Sequence, residues 1–176
     1  DWIIQVDADC RLAPGFLSSH MQFLESHPSD PVAALVNTRR GKGGFRESFE
    51  RLDVLSLVGS SAGSFGLGRP MMCSGANLAY SRELYLETRS FDPVQNIASG
   101  DDMFLMIGAR KLGRTLSYNS SRESMVETAG VKDLRTLITQ RMRWGSKAGH
   151  LGMPDIQLLA LLVSLTNISM LLMPAW

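Results

Sequence analysis

The stretch that decides the fold is Trp2-Ile3-Ile4-Gln5-Val6-Asp7-Ala8-Asp9. Its first five residues form a short, mostly apolar run bounded by polar residues, which predicts a buried strand. Asp7 and Asp9 follow at once, and alternation along an extended chain places both carboxylates on the same side. Two carboxylates at the carboxyl end of a strand in an α/β sheet suit Mg²⁺ or Mn²⁺. We therefore expect a divalent metal at Asp7 and Asp9; the alternative is an ordinary polar turn.

Helical and extended patterns alternate after this strand, which predicts an α/β fold with helices flanking a sheet. The first helix is indicated by Phe16, Leu17, His20, Met21 and Leu24, which recur at the spacing of one helix face. Further predicted elements are a strand at 32–36, a helix at 47–58, a loop at 59–68, a strand or extended turn at 71–80, a helix at 102–112 ended by Gly113, short strands at 115–118 and 124–127, and an amphipathic helix at 131–147.

Composition excludes several classes of protein. Of the 176 residues, 44% are hydrophobic and 20% are charged, which excludes a disordered chain. The net charge of +1 gives no reason to expect a nucleic-acid partner. The two cysteines, Cys10 and Cys73, form no CxxC pair, so neither a structural zinc site nor a disulfide framework is expected. We expect two buried thiols.

An uncharged segment occupies residues 156–173. Its 18 residues would span about 27 Å as a helix, close to the thickness of a bilayer core. We expect a helix that spans or is embedded in a membrane; the alternative is a buried core helix, because Ser164, Thr166 and Asn167 lower the hydrophobicity. Basic residues without acids precede the segment between Leu134 and Pro154, which predicts that the preceding part faces the cytoplasm.

Ser99-Gly100-Asp101-Asp102 stands before an apolar helical segment. One interpretation is a capping box, with Ser99 at the N-cap and Asp102 at the third helical position. The other is a general base, in which Asp102 takes a proton from an attacking hydroxyl. The two are partly compatible, since a helix N-terminus favours a negative charge and holds the carboxylate in place.

Gln140-Arg141-Met142-Arg143-Trp144 lies in the basic helix, where Gln140, Arg143 and Trp144 share one face. The guanidinium of Arg143 could hold a departing diphosphate, and Trp144 could stack on the apolar face of a sugar ring. The alternative is a helix that meets anionic lipid, with Trp144 at the membrane interface.

Taken in order, these segments resemble the family 2 glycosyltransferases, the group that includes cellulose, chitin and hyaluronan synthases. The matching stretches are residues 7–9, 72–78, 99–102 and 140–144, and the QxxRW pattern of the last is the most specific. The resemblance implies a GT-A fold, with a mixed sheet and flanking helices. It also implies an inverting transfer from a nucleotide-sugar donor to a glycan or lipid-linked acceptor.

Roles for single residues follow from the same resemblance. Asp7 and Asp9 would hold the metal and the diphosphate of the donor, and Asp102 would be the base. The other residues expected to bind substrate are Cys73, Ser74, Gly75, Asp101, Gln140, Arg143 and Trp144.

The chain also departs from the family pattern. The family's first half has no counterpart here, Asp101 stands where glutamate is frequent, and residues 37–70 match nothing we can name. We expect residues 1–150 to be the C-terminal portion of the catalytic domain and residues 155–176 to be a truncated transmembrane segment. The expected location is the inner (plasma) membrane, with membrane lipid as a partner and the catalytic part facing the cytoplasm.

Two other functions remain open from the sequence. One is a non-catalytic, membrane-associated interaction module that uses the basic helix. The other is a metal-dependent nucleotidyl- or phosphotransferase, which also uses paired aspartates but leaves the segments around Gly75 and Trp144 unexplained.

Overall fold

A computed structural model describes residues 1–39, 41, 43–89, 100–131, 133, 135–136, 139–140, 142–143, 154–158, 161–162 and 165. The chain divides into two compact units, Asp1–Lys132 and Asp133–Trp176. In the first unit the described residues form two sheets with flanking helices. The predicted mixed α/β class is therefore confirmed, and the arrangement fits a GT-A-like fold.

The first unit contains two mixed sheets. The strands are β1 Trp2–Val6, β2 Arg11–Leu12, β3 Val32–Ala34, β4 Val36–Thr38, β5 Asn77–Ser81, β6 Ser117–Asn119 and β7 Val126–Thr128. The helices are α1 Phe16–Ser26, α2 Phe45–Gly66, α3 Arg82–Arg89 and α4 Asp101–Lys111. The larger sheet has the order β1-β5-β3-β6 and the smaller one β2-β7-β4. The larger sheet has two antiparallel pairs and one parallel pair, β3 with β6; the smaller sheet has one antiparallel pair and one parallel pair, β4 with β7.

The pairing of β1 with β5 decides which loops meet. The two strands are antiparallel, and Val6 at the end of β1 lies opposite Asn77 at the start of β5. The chain that leaves β1 and the chain that enters β5 therefore lie at the same edge of the larger sheet. This edge carries Asp7 and Asp9 on one side and residues 73–76 on the other.

The first helix forms where it was predicted, but the predicted face is partly wrong. Phe16 and His20 are buried, as is Ser19, whereas Leu17 is 60% and Met21 41% exposed. The buried stripe follows Phe16, Ser19 and His20 because this side of the helix lies against the chain after β6, where the Asn119 amide nitrogen is 3.5 Å from the Ser19 carbonyl oxygen.

The predicted strand at 32–36 is two strands that belong to different sheets. The break falls at Leu35, whose carbonyl oxygen accepts hydrogen bonds from the backbone N–H of Val126 and from the side chain of Asn77. The chain passes from the larger sheet to the smaller one at this residue. The apolar run does not reveal such a switch, because residues 32–36 are all apolar on both sides of the break.

The predicted loop at 59–68 is wrong, because α2 continues to Gly66. Two serines in this part of the helix form hydrogen bonds with the segment that follows it. The Ser61 hydroxyl donates to the Met72 carbonyl at 2.7 Å, and the Ser64 hydroxyl accepts from the Met71 N–H at 3.2 Å. Tertiary contacts thus outweigh the low helix propensity of glycine and serine. The helix stops before Gly68, whose φ of +67° is left-handed.

The start of α4 differs from the predicted capping box. The N-cap is Gly100, with a left-handed φ of 114° and no side-chain cap, so Asp102 is the second residue of the helix. Ser99 lies outside the described residues. The end of the helix agrees with the prediction, since Gly113 follows the C-cap Leu112 with a φ of +69°.

Two short strands appear close to their predicted places, as β6 and β7. Helix α3 was not predicted, because the charged sequence of Arg82–Arg89 carries only a narrow apolar stripe.

The second unit is described in part. Residues 135–136, 139–140 and 142–143 are helical, within the helix predicted at 131–147, whereas Val131 and Asp133 are not. The segment predicted to enter a membrane is described at 156–158, 161–162 and 165, all helical; the rest of it lies outside the described residues. Among the residues described, no helix has both the length and the apolar character needed to cross a bilayer.

A buried hydrogen-bond centre at Asn77 joins the two sheets. Its amide nitrogen donates to the carbonyl oxygens of Leu35 and Ser124, at 2.8 and 2.7 Å. Its amide oxygen lies 3.1 Å from Nε2 of the buried His20. Because the amide nitrogen of Asn77 faces the two carbonyl oxygens, only its amide oxygen faces His20. An amide oxygen can only accept, so Nε2 of His20 carries the imidazole hydrogen and donates it. Nδ1 of His20 is buried and has no hydrogen-bond partner among the described residues.

This environment predicts a pH dependence of stability. Burial lowers the pKa of His20 below its ordinary 6.5, with the Asn77 bond opposing it weakly. Below pH 6.5 the unfolded chain takes up a proton at His20 that the folded chain resists, so stability falls as the pH drops. The slope attributable to one such group is at most about 1.4 kcal/mol per pH unit. Urea unfolding between pH 5 and 8 should show a shallower fall for His20→Gln, and equal slopes would contradict this role.

Candidate active site

The two aspartates after β1 lie in a tight turn. The Cys10 N–H donates to the Asp7 carbonyl oxygen at 3.0 Å, closing residues 7–10 into a four-residue turn. The premise that these residues continue the strand is therefore wrong, and alternation does not place the two carboxylates on one side. Both aspartates are exposed, so their carboxylates can meet a ligand from solvent.

The turn is held to the smaller sheet through Asp9. Its Oδ2 accepts a hydrogen bond from the Thr128 hydroxyl at 3.2 Å, at the end of β7. Its backbone carbonyl oxygen accepts from the Arg39 guanidinium at 3.4 Å, just after β4. Two strand ends thus fix the position of Asp9, although neither contact was visible in the sequence because the partners lie 30 and 119 residues away.

The segment predicted to approach the acceptor is also a turn. The Asn77 N–H donates to the Ser74 carbonyl at 3.1 Å, and the Ala76 N–H lies 3.3 Å from the Ser74 hydroxyl. The Ser74 side chain therefore shapes the turn and remains exposed. The result is a compact bend that presents the backbone N–H of Gly75.

That N–H meets the carboxylate of Asp102. Gly75 donates to Oδ2 at 2.9 Å, and the backbone of Met103 donates to Oδ1 at 2.8 Å. Each carboxylate oxygen thus has one backbone donor, which fixes its orientation and leaves a further lone pair for a proton. The N-terminus of α4 and the turn before β5 come together as a result, so Asp102 lies beside the edge that carries Asp7 and Asp9.

A side chain at Gly75 would have to displace the end of the Gln5 side chain. A Cβ at this position would lie 2.8 Å from Nε2 of Gln5 and 3.4 Å from Cβ of Asp102. Gln5 in turn accepts a hydrogen bond from the Tyr80 hydroxyl at 3.1 Å. Sequence reasoning missed Gln5, although a polar residue inside an apolar strand, directly before two aspartates, was a usable signal.

Cys73 contacts the same helix start through its thiol. Its Sγ lies 3.3 Å from the Asp102 carbonyl oxygen, to which it donates. Burial, and then the charge of Asp102, raise the pKa of the Cys73 thiol well above its ordinary value, so it stays protonated at neutral pH. A protonated thiol is a poor nucleophile. Both cysteines are free, as expected, but each is partly exposed rather than fully buried.

The remaining predicted residues are placed less completely. Asp101 is exposed on the first turn of α4. Gln140 and Arg143 are helical residues of the second unit, and Trp144 lies outside the described residues. Their approach to Asp102 stays a prediction.

The donor atoms at Asp7 and Asp9 fit one kind of metal site. Among the described residues, no three His, Cys, Asp or Glu side chains cluster in a way that would hold an ion by themselves. Mg²⁺ and Mn²⁺ do not need such a cluster, because they are often bound by one or two carboxylates together with substrate phosphates and water. Two exposed carboxylates on an anchored turn suit a cation that shares its ligands with a diphosphate.

Comparison with known proteins agrees with this geometry. A family model described as "glycosyl transferase family group 2" matches residues 2–176, nearly the whole chain. No curated protein matches the sequence. The family match favours an enzyme over an interaction module, and sugar transfer over phosphoryl or nucleotidyl transfer. The chain belongs to the family 2 glycosyltransferases, and it is a glycosyltransferase.

Proposed function

We propose that the protein moves a sugar, with inversion, from a nucleotide-diphosphate sugar to a hydroxyl of a glycan or lipid-linked acceptor. The observation that carries the proposal is the pair of backbone hydrogen bonds that orient the Asp102 carboxylate. One of them comes from Gly75, in the turn that shares a sheet edge with Asp7 and Asp9. A fixed base therefore lies near a pair of carboxylates suited to a metal–diphosphate.

The reaction is a single displacement at the anomeric carbon. The acceptor oxygen forms a bond to this carbon while the bond to the diphosphate oxygen breaks on the opposite face. Asp102 accepts the hydroxyl proton on a free lone pair, and the nucleoside diphosphate leaves with the electron pair of the broken bond. The backbone donors of Gly75 and Met103 keep the carboxylate from rotating, so the base needs no reorganisation during transfer.

Asp7 and Asp9 are the residues that would hold the divalent metal, Mg²⁺ or Mn²⁺. When bound, such an ion offsets the negative charge that develops on the departing diphosphate. The chain itself contributes the anchoring of Asp9 by Thr128 and Arg39, which fixes one carboxylate before the donor arrives.

The sequence motif at 140–144 is proposed to bind substrate as well. Arg143 would support the departing phosphates, and Gln140 and Trp144 would contact the acceptor sugar, as in other members of the family. Asp101 and residues 73–75 would line the acceptor side. We place the catalytic part at the cytoplasmic face of the plasma membrane, on the strength of the basic, acid-free stretch before the apolar segment.

The test of the function is the product released from the donor. Membranes that contain the full-length protein should be supplied with a panel of nucleotide-sugars and an extract of endogenous acceptors. We expect one donor to release a nucleoside diphosphate in step with sugar incorporation. Release of pyrophosphate or inorganic phosphate without sugar incorporation would indicate nucleotidyl or phosphoryl transfer instead.

The metal makes a separate prediction. EDTA should stop transfer, and Mn²⁺ or Mg²⁺ should restore it. Asp9→Ala should lower kcat/KM for the donor by about 100-fold, because a metal at a developing phosphate charge contributes several kcal/mol. Thr128→Val, which removes only the hydroxyl that anchors Asp9, should cause a smaller loss. Full activity in EDTA, or an unchanged kcat/KM for the donor in Asp9→Ala, would contradict the assigned role.

A further inference from the structure

A polar cleft lies over the smaller sheet, close to the Asp7–Cys10 turn. It has a volume of about 420 Å³ and draws residues from all three strands of that sheet and from α2. The lining residues are Arg11, Asn37, Thr38, Arg39, Arg51 and Glu127. Of these residues, only Arg39 has a role above, through its hydrogen bond to the Asp9 carbonyl oxygen.

The charge of the cleft favours an anion. Three guanidinium groups face one carboxylate, that of Glu127, which leaves an excess of two positive charges. Among the described residues, no carboxylate lies within 4.0 Å of the nitrogens of Arg11, Arg39 or Arg51. Surface arginines are often left unpaired, but three around one concave surface are suited to the planar, forked recognition of an oxyanion.

Unsatisfied polar atoms in the cleft wall point the same way. Thr38 is only 2% exposed, and its hydroxyl oxygen has no hydrogen-bond partner among the described residues. The same holds for Nε of Arg51. A buried polar atom without a partner costs about 1–3 kcal/mol, and such atoms in native structures often mark a place where a ligand or water binds.

The cleft is adjacent to the donor site but separate from it. Arg39 links the two, since it lines the cleft and donates to the backbone carbonyl of Asp9. The carboxylates assigned to the metal do not line the cleft, whereas arginine side chains do. An anion bound in the cleft would therefore be held without the metal, at one side of the transferred sugar.

We propose that this cleft is a second oxyanion site, which binds a phosphate group carried by the acceptor. The proposal rests on the glycosyl transfer proposed above and specifies its acceptor as a phosphorylated one, either a soluble sugar phosphate or a lipid phosphate. Arg11, Arg39 and Arg51 contact the phosphate oxygens, and the Thr38 hydroxyl adds a neutral donor. Glu127 limits the charge that the cleft can hold.

The test measures binding directly, with the full-length protein in detergent and EDTA present. Equilibrium dialysis with radiolabelled glucose 1-phosphate should show saturable binding, and neutral methyl glucoside should not compete. Arg11→Gln should weaken binding about tenfold, and Arg11→Gln combined with Arg51→Gln by about a hundredfold, as expected for charge-assisted hydrogen bonds. Arg122→Gln, at an exposed arginine away from the cleft, is the matched control and should bind normally.

Competition separates the two sources of phosphate. Displacement by micelles of phosphatidic acid, but not of phosphatidylcholine, supports a lipid phosphate; displacement by soluble phosphate esters alone supports a sugar phosphate.

Arg11 is exposed on a two-residue strand, so the single variant tests the site even if the double variant fails to fold. Absence of saturable binding, binding that Arg11→Gln leaves intact, or binding abolished by Asp9→Asn would overturn the proposal. If the protein binds phosphate but transfers no sugar, the proposed function is rejected and the proposed oxyanion site is retained.

Discussion

Asp102→Asn should reduce turnover by about 10²–10⁴-fold while the affinity for the nucleotide-sugar stays near that of the native protein. The amide cannot accept the proton of the attacking hydroxyl. It also cannot accept from both Gly75 and Met103, since one of its two groups is a donor. The carboxamide would therefore turn its oxygen toward one backbone N–H and lose the other. Single-turnover transfer and equilibrium donor binding, measured on the full-length enzyme, check the two parts of this prediction.

The control for this variant is Glu25→Gln, which makes the same chemical change at an exposed position of α1. It should leave turnover unchanged. If Asp102→Asn kept near-native turnover, the carboxylate would serve only to attach the turn at Gly75 to the start of α4. A parallel loss of turnover and donor binding would point to a distorted site and would also count against the assignment as base.

Asn77→Ala should have the largest effect on folding. Truncation leaves two buried groups without partners, the Ser124 carbonyl oxygen and the Nε2–H of His20, and removes one of the two hydrogen bonds that the Leu35 carbonyl oxygen accepts. The combined loss should be about 3–5 kcal/mol, which is a large part of the stability of an ordinary domain. The Leu35 carbonyl lies where the chain passes between the two sheets, so the junction itself should loosen. Urea unfolding of the full chain measures this loss.

Gln22→Ala is the matched control, because it truncates an exposed amide on α1. Its effect should remain within about 0.5 kcal/mol. A loss of under 1 kcal/mol in Asn77→Ala would mean that water replaces the missing amide and that the junction does not depend on it. Transfer activity should fall with stability in this variant, since Asn77 also begins the strand that follows the Gly75 turn.

Elements with a clear local signal were predictable from the sequence. The apolar run Trp2–Val6 predicted a strand with correct bounds, although its residues are half-buried or exposed rather than buried, and Gly113 marked the end of α4. The signals failed where tertiary contacts decide the outcome. Serines at 61 and 64 bond to the chain after α2, so a stretch rich in glycine and serine is helical rather than a loop.

The candidate site follows the same division. Asp7, Asp9 and Asp102 could be proposed as site residues from residue type and order. The hydrogen bonds that hold Asp9 and Asp102 in place could not be predicted, because Asp9 bonds to Thr128 and Asp102 to Gly75, and these partners lie far away in the chain. Periodicity says which residues share a face of one element and nothing about which loops meet at the edge of a sheet. The arginines of the cleft could not be predicted for the same reason, since they come from β2, the chain after β4 and α2.

The anomeric configuration of the product tests the central claim most directly. Transfer should be run with the full-length enzyme and the donor found in the panel, and the first-formed glycosidic linkage should be assigned by NMR before any anomerisation. Displacement in one step, with Asp102 as the base, predicts a configuration opposite to that of the donor. Retention of the donor configuration would contradict the proposed mechanism, because a single displacement with Asp102 as the base inverts the anomeric carbon.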